Sequence, residues 1–231
     1  MHIGFSQQCN YRNHQTGGFR EYSDYDEQDE DFALSFTTPR SYRSFEDAGK
    51  QPSCNPCGIH KVGVSLIPMA AEVVKISGRP GDLDRIKEAA KVVEAGGLVA
   101  FPTETVYGIA CRVHPQNLRR LDKIKGRDAD KHYTLHIGQI DEYRKYVRRV
   151  DLRTEKLIRQ GWPGPLTLVF EVDCEQIAEQ RIRLGEDVTN ILYKEGSIGI
   201  RCPDHPVASL LLRLVNCPVV APSANRAGRQ P

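Results

Sequence analysis

Two glycines in series, Gly96 and Gly97, divide an amphipathic stretch from a short apolar one, and this junction narrows the possible folds more than any other feature. Before it, Leu83, Ile86, Ala90 and Val93 recur at the spacing that places side chains on one helix face, with Asp82 as the expected N-cap. The glycines stop the helix because they accept the left-handed backbone at which helices end. After it, Leu98, Val99, Ala100 and Phe101 form a run too short for a helix and apolar throughout. That run reads as a buried strand, ended by Pro102, which lacks a backbone donor. A helix feeding directly into a buried strand belongs to a layered α/β domain.

The alternation continues to the end of the chain. Residues 117–125, after Pro115, predict a helix, and residues 135–137 a strand. Residues 152–160 predict a helix stopped at Gly161, followed by a strand over 166–172. A strand over 198–202 comes next, and then a helix capped by Asp204 with Val207, Leu210, Leu211 and Leu214 on one face. Residues 218–221 close the series as a strand. The expected fold class is therefore α/β, a twisted mixed sheet with flanking helices, occupying residues 82–231; strand order is not contained in such a pattern. Residues 175–195 are expected to be an inserted loop.

Residues 1–60 lack sustained periodicity and contain the acidic run Glu21, Asp24, Asp26, Glu27, Asp29, Glu30 and Asp31. They are expected to form a flexible acidic and polar arm, joined to the domain by a connecting segment over 61–81. The net charge of +2 consequently understates how basic the remainder is. Seven cysteines, an odd number without dense spacing, fit a reducing compartment, and no apolar run approaches the roughly 18 residues of a membrane span. A cytoplasmic protein without membrane association is the expectation. Cys54, Cys57 and His60 are the one grouping with metal-ligand character, but no second pair follows at zinc spacing.

Four segments carry side chains suited to chemistry. Pro102-Thr103-Glu104-Thr105-Val106-Tyr107-Gly108 puts hydroxyls and a carboxylate at the C-terminal end of a strand, the edge where open α/β sheets bind ligands. Lys125, Arg127 and Lys131 are cations close enough to repel one another unless solvent or an anion such as phosphate screens them. Trp162-Pro163-Gly164-Pro165-Leu166-Thr167 fixes a rigid entry to a strand that begins with a hydroxyl. Ala221-Pro222-Ser223-Ala224-Asn225 sets small polar side chains just past another strand. Taken singly, each reads equally well as a turn, a cap or a solvated helix end.

Together with Gly199-Ile200-Arg201-Cys202-Pro203, these segments resemble, in order and spacing over about 145 residues, the threonylcarbamoyl-adenylate synthase (YrdC-like) family. The resemblance implies formation of threonylcarbamoyl-AMP and pyrophosphate from L-threonine, bicarbonate and ATP, for modification of adenosine at position 37 of certain transfer RNAs. It implies Thr103, His136, Thr167 and Arg201 around threonine, and Lys125, Arg127, Ser223 and Asn225 around ATP. No protein nucleophile is implied, and Mg2+ would accompany the ATP. The alternative is a module of the same fold that binds double-stranded RNA or tRNA. The thirteen Lys and Arg against seven Asp and Glu between Arg119 and Arg159 suit it.

The sequence departs from the family in three places. Asp128 stands where proline usually follows the Lys-Gly-Arg run, and Tyr133-Thr134 where a Pro-Leu pair is usual. Residues 175–195 are longer than expected. A further Ser-Thr strand and an Arg-Pro-Gly segment would follow Pro231, so the domain is expected to lack its C-terminal part and to be less active for it.

Overall fold

The computed structural model describes residues 32–37, 71–77, 81–128 and 131–229. Their strands are β1 (Phe32–Thr37), β2 (Glu72–Ile76), β3 (Leu98–Phe101), β4 (Gly108–Arg112), β5 (Thr134–His136), β6 (Thr167–Glu171), β7 (Ser197–Arg201) and β8 (Val219–Val220). The helices are α1 (Asp82–Glu94), α2 (Pro115–Lys125), α3 (Leu152–Gly161), α4 (Cys174–Leu184), α5 (Glu186–Leu192) and α6 (Pro206–Leu214). Among the described residues the strands form one 8-stranded sheet in the order β2-β1-β3-β4-β8-β5-β7-β6. Only β5 and β7 run parallel; every other neighbouring pair is antiparallel. The mixed sheet with flanking helices is the architecture expected. No helix among the described residues is long and apolar enough to cross a membrane.

Period-two alternation sorts side chains onto the two faces of the sheet. Leu98, Cys111, Leu135, Leu168, Phe170, Ile198, Ile200 and Val220 face one core, shared with Leu121, Ile158, Trp162 and Leu192 from helices and loops. Val99, Phe101, Ala110 and Val219 face the other, beneath Ile86, Ala89 and Val93 of α1 and Val207, Ala208 and Leu211 of α6. This second core takes no residue from β5, β6 or β7. On that face the three strands instead present Thr134, His136, Gly199, Arg201, Thr167 and Val169, so one end of the sheet is left uncovered by apolar packing.

Several elements depart from the sequence expectation. β1 lies within the stretch expected to be a flexible arm, and β2 within the expected connecting segment. β1 pairs with β2 on one side and β3 on the other, and Leu34 is fully buried. Pairing with partners distant in sequence stabilises such a strand, and composition does not carry that term. The other residues of 1–60, including Cys54, Cys57 and His60, lie outside the described residues. The stretch 175–195 is helical, forming α4 and α5, and not an inserted loop. Asp173 caps α4 by accepting from the Gln176 amide at 2.7 Å. The buried face of α4 is partly polar: Gln176 donates to Tyr146 O at 2.8 Å and Gln180 to Lys145 O at 3.1 Å. Glutamines on a buried face hide the apolar period by which a helix is recognised.

Two caps also shift. Asp82 is the first residue of α1, and its carboxylate accepts from the Ser77 amide at 2.7 Å, tying the helix to the end of β2. His205, and not Asp204, caps α6, its Nδ1 accepting from Val207 N at 3.2 Å.

The turn after β5 rests directly on α6. Gly138 O accepts from Ser209 Oγ at 2.8 Å, and Gly138 N donates to Glu142 at 2.9 Å. A Cβ at this position would lie 2.7 Å from both Arg213 N and Ser209 O, which are backbone atoms of the helix and cannot swing aside. Gly138→Ala is therefore expected to destabilise the fold by about 1–3 kcal/mol, the usual cost of overpacking, read as a lower urea midpoint at unchanged slope.

Candidate functional site

The uncovered end of the sheet places three of the expected site residues side by side. In register, His136 of β5 pairs with Arg201 of β7, and Arg201 pairs in turn with Thr167 of β6. Directly paired positions share a face, so all three side chains project from the same side. They line a cavity of about 210 Å3 together with Arg127, His132, Tyr133, Thr134, Ala221 and Pro222. Gly199 lies two residues before Arg201 on the same face of β7, and the nearest atoms to a Cβ there would be Thr134 Oγ1 at 3.7 Å and Thr167 Cγ2 at 3.8 Å.

Arg201 is the hub. One guanidinium nitrogen donates to Glu104 Oε1 at 2.6 Å and to Thr105 Oγ1 at 2.9 Å. Both members of the Arg201–Glu104 pair are largely buried, at 15% and 19% side-chain exposure. The other carboxylate oxygen of Glu104 accepts from Asp204 N at 3.0 Å, so this one side chain joins the loop after β3 to the end of β7 and the entry to α6. Arg201 Nε is buried and has no hydrogen-bond partner. A buried donor left unmet costs about 1–3 kcal/mol.

Thr103 takes another role. Its hydroxyl donates to Val106 O at 2.7 Å and accepts from the amides of Thr105 and Val106 at 3.3 Å, so it folds the loop that carries Glu104 and Thr105. It is not among the cavity-lining residues. Lys125, at the C-terminus of α2, is also outside the lining. Its ammonium donates to Ser223 O and, at 2.6 Å, to Asn225 O. Burial, followed by the nearby Arg127 charge, lowers the Lys125 pKa from its ordinary value. This lysine holds the 223–225 turn against α2, and Ala227 N closes the contact by donating to Lys125 O at 2.8 Å.

Ser223 forms an antiparallel bridge with Gly108, and Ala224 N donates to Tyr107 O at 2.7 Å, so the turn also abuts the loop after β3. Asn225 donates through its amide to Arg226 O at 3.3 Å and to Arg229 O, while its Oδ1 is buried without a partner. Arg127 reaches the cavity with its guanidinium over the Tyr133 ring, 4.2 Å from the centroid. Of the eight expected residues, Arg127, His136, Thr167 and Arg201 thus converge on the cavity, while Thr103, Lys125, Ser223 and Asn225 form the turns around it. Glu104 and Thr105, which accept from Arg201, and Tyr133, which lines the cavity, are not among the residues that the resemblance implies. The sequence signal for the first two is a carboxylate and a hydroxyl in a loop at the C-terminal end of a strand. Among the described residues no group of three His, Cys, Asp or Glu side chains converges to hold a metal.

A mixed sheet with a polar cleft at one end, lined by two arginines, a buried histidine and hydroxyls, has the chemistry to hold an anionic group. The family model described as "Telomere recombination", the Sua5/YciO/YrdC model, matches residues 91–231. The chain belongs to this Sua5/YciO/YrdC family. It is similar to the threonylcarbamoyl-AMP synthase of Pyrococcus abyssi, at 34% identity over 146 residues, covering 63% of this chain and 40% of that protein. The Bacillus subtilis threonylcarbamoyl-AMP synthase is 31% identical over 146 residues, covering 63% of this chain and 39% of its own length. The chain thus spans about two fifths of the length of these two relatives. Among solved structures, Pyrococcus abyssi Sua5 complexed with L-threonine superposes with a TM-score of 0.53 at 32% identity, over 64% of this chain and 40% of that one. Escherichia coli YciO, at 24% identity and a TM-score of 0.50 over 64% of this chain and 66% of its own, shares the fold.

His136 is buried with Nδ1 3.1 Å from Thr134 O, a contact in which the ring nitrogen must donate. Burial first, and the Arg201 charge second, push its pKa down from 6.5 to about 4, against the opposing pull of the Thr134 carbonyl. Burial does the same to His205, again to about 4. Both histidines are neutral in the folded protein at pH 7. Below pH 6.5 the unfolded chain takes up protons that the folded chain refuses until about pH 4. Stability is therefore fully present above pH 6.5 and lost as the pH falls through this window, by about 1.4 kcal/mol per pH unit per histidine. Urea unfolding at pH 7, 6 and 5 is expected to show this fall, with a shallower slope for His136→Asn; equal slopes for the two proteins would contradict it.

Proposed function

We propose that this chain is a threonylcarbamoyl-AMP-forming domain that takes L-threonine, bicarbonate and ATP and releases pyrophosphate, supplying the activated intermediate for transfer RNA modification. The observation that carries the reading is the convergence of Arg201, His136, Thr167 and Arg127 on one cavity. A guanidinium suits the carboxylate of an amino acid, and Thr167 offers a hydroxyl beside it. Arg127 at the cavity rim, reached from the C-terminus of α2, suits a phosphate. The similarity to synthases over the matched residues supports the same assignment.

In this reading bicarbonate gives up hydroxide to form carbon dioxide, the amine of threonine captures it and loses a proton that makes water with that hydroxide, and a carbamate oxygen attacks the α-phosphorus of ATP as pyrophosphate leaves. No covalent bond to the protein is needed, so this chain contributes orientation and charge stabilisation. Arg201 fixes the carboxylate, the neutral His136 shapes the wall without adding a third positive charge, and Arg127 offsets charge on the phosphates. A magnesium ion would enter with the ATP. When bound with ATP it would supply further charge neutralisation.

The RNA-binding alternative draws less support from the folded arrangement. Lys131, Arg144, Lys145, Arg148 and Arg159, all in the basic stretch, lie beside the carboxylates of Asp128, Asp141, Glu142, Glu179 and Glu155 respectively. Pairing of this kind lowers the positive potential available to a phosphate backbone.

Incubation with ATP, magnesium, L-threonine and bicarbonate is expected to yield pyrophosphate and the threonylcarbamoyl adenylate, each dependent on threonine. Salt-sensitive RNA binding without either product would favour the alternative. Arg127→Ala is expected to weaken ATP binding by about 1.5–3 kcal/mol, the range for a hydrogen bond to a charged group, as measured by calorimetric titration.

A further inference from the structure

The family departure at Tyr133 has a structural counterpart. The guanidinium of Arg127 lies over the Tyr133 ring at 4.2 Å, close enough for a direct cation–π contact. The Tyr133 hydroxyl donates to Asp122 Oδ1 on α2. Burial and this bond to Asp122, in that order, raise the Tyr133 pKa well above its ordinary value, so the ring stays neutral and its hydroxyl remains a donor. Asp122 acts through its backbone too: Arg127 N donates to Asp122 O at 3.0 Å. On the far side, an Arg127 terminal nitrogen donates to His132 O at 2.7 Å. Arg127 is thus fixed at its amide, at one guanidinium nitrogen and across its planar face, with Tyr133 and Asp122 bracing one another.

Free arginine side chains sample many rotamers, and restricting them before a ligand arrives lowers the entropic cost of binding. The side chain most exposed to that cost here is Arg127, which follows the left-handed Gly126 on a loop between α2 and β5. The next described residues of the loop, Asp128 and Lys131, are both exposed. The Tyr133 ring is 8% exposed and is itself part of the larger core, which makes it a fixed platform.

We propose that Tyr133 is a positioning residue of the nucleotide subsite: its ring face, held in place by the core around it, presents the Arg127 guanidinium to the ligand's phosphates. This rests on the reading above, in which Arg127 receives phosphate. A cation–π contact of ordinary strength corresponds to a change of about 3- to 30-fold in affinity.

The test measures dissociation constants for ATP and, separately, for L-threonine, in the full chain and in Tyr133→Leu, Tyr133→Phe, Arg127→Ala and the Tyr133→Leu/Arg127→Ala double variant. Circular dichroism and a thermal melt establish that each is folded. Tyr133→Leu is expected to weaken ATP binding about 3- to 30-fold and to leave threonine binding within about twofold. Tyr133→Phe, which keeps the ring, is expected to restore most of the ATP affinity. The double variant is expected to bind ATP no more weakly than Arg127→Ala alone. If Arg127→Ala loses ATP affinity while Tyr133→Leu does not, or if the Phe variant is as weak as the Leu variant, the platform role is overturned and the nucleotide reading stands. If Arg127→Ala binds ATP like the unaltered chain, the nucleotide reading fails and takes the platform with it. Should the Leu variant not fold, the Phe variant decides: a loss of ATP affinity as large as that in Arg127→Ala overturns the platform, and retention within about threefold supports it.

Discussion

Everything at the cleft depends on the register of three short strands. His136, Arg201 and Thr167 stand in one row because β5, β7 and β6 are paired residue for residue. The same pairing sends Leu135, Ile198, Ile200, Leu168 and Phe170 into the larger core. A slip of one residue would put the Arg201 guanidinium into that core and Ile200 into the cleft, exchanging the environments of every side chain in the row. Burying an unpaired guanidinium among apolar groups costs far more than any loop adjustment can return. The apolar residues therefore fix the polar ones, and the row cannot be altered without disturbing the packing on the opposite face.

Two buried polar contacts extend that row outwards. Glu104 holds the loop after β3 against the end of β7, and the Lys125 ammonium holds the 223–225 turn against α2. Neither joint relies on apolar area. A charge taken out of water needs its donors or acceptors met, and the carbonyls of Ser223 and Asn225 do this for Lys125 without a carboxylate. The cluster expected to grip phosphate as a unit is consequently divided between two tasks. Lys125 builds the wall, and Arg127 faces the cavity.

Local signals made much of this legible in the sequence. The glycine stop before β3 and the proline that opens α2 arise from backbone chemistry that acts within a few residues. Arg127 and Thr167 lie in segments that local chemistry singles out, whereas His136 and Arg201 enter only through the resemblance. What escaped depends on distant partners. β1 owes its place to β2 and β3; α4 buries glutamines whose hydrogen bonds end on Tyr146 and Lys145; Glu104 acquires its role only when Arg201 arrives from residues nearly a hundred positions later. Thr103, which the resemblance sets near threonine, depends on structure in the same way, since the bonds of its hydroxyl to Val106 and Thr105 are not written in the residue type.

The position of β1 has a practical consequence for how the protein is handled. It is the first described strand in the chain, yet it sits inside the sheet, between β2 and β3. Trimming the chain to begin at α1 would leave β3 with a row of unpaired amides and carbonyls along an apolar strand whose Val99 and Phe101 are now fully buried. Open edges of this composition recruit strands from other molecules. A shortened version would be prone to self-association for reasons unrelated to the cleft, and loss of solubility on truncation would report a missing neighbour in the sheet and not a defect in ligand binding.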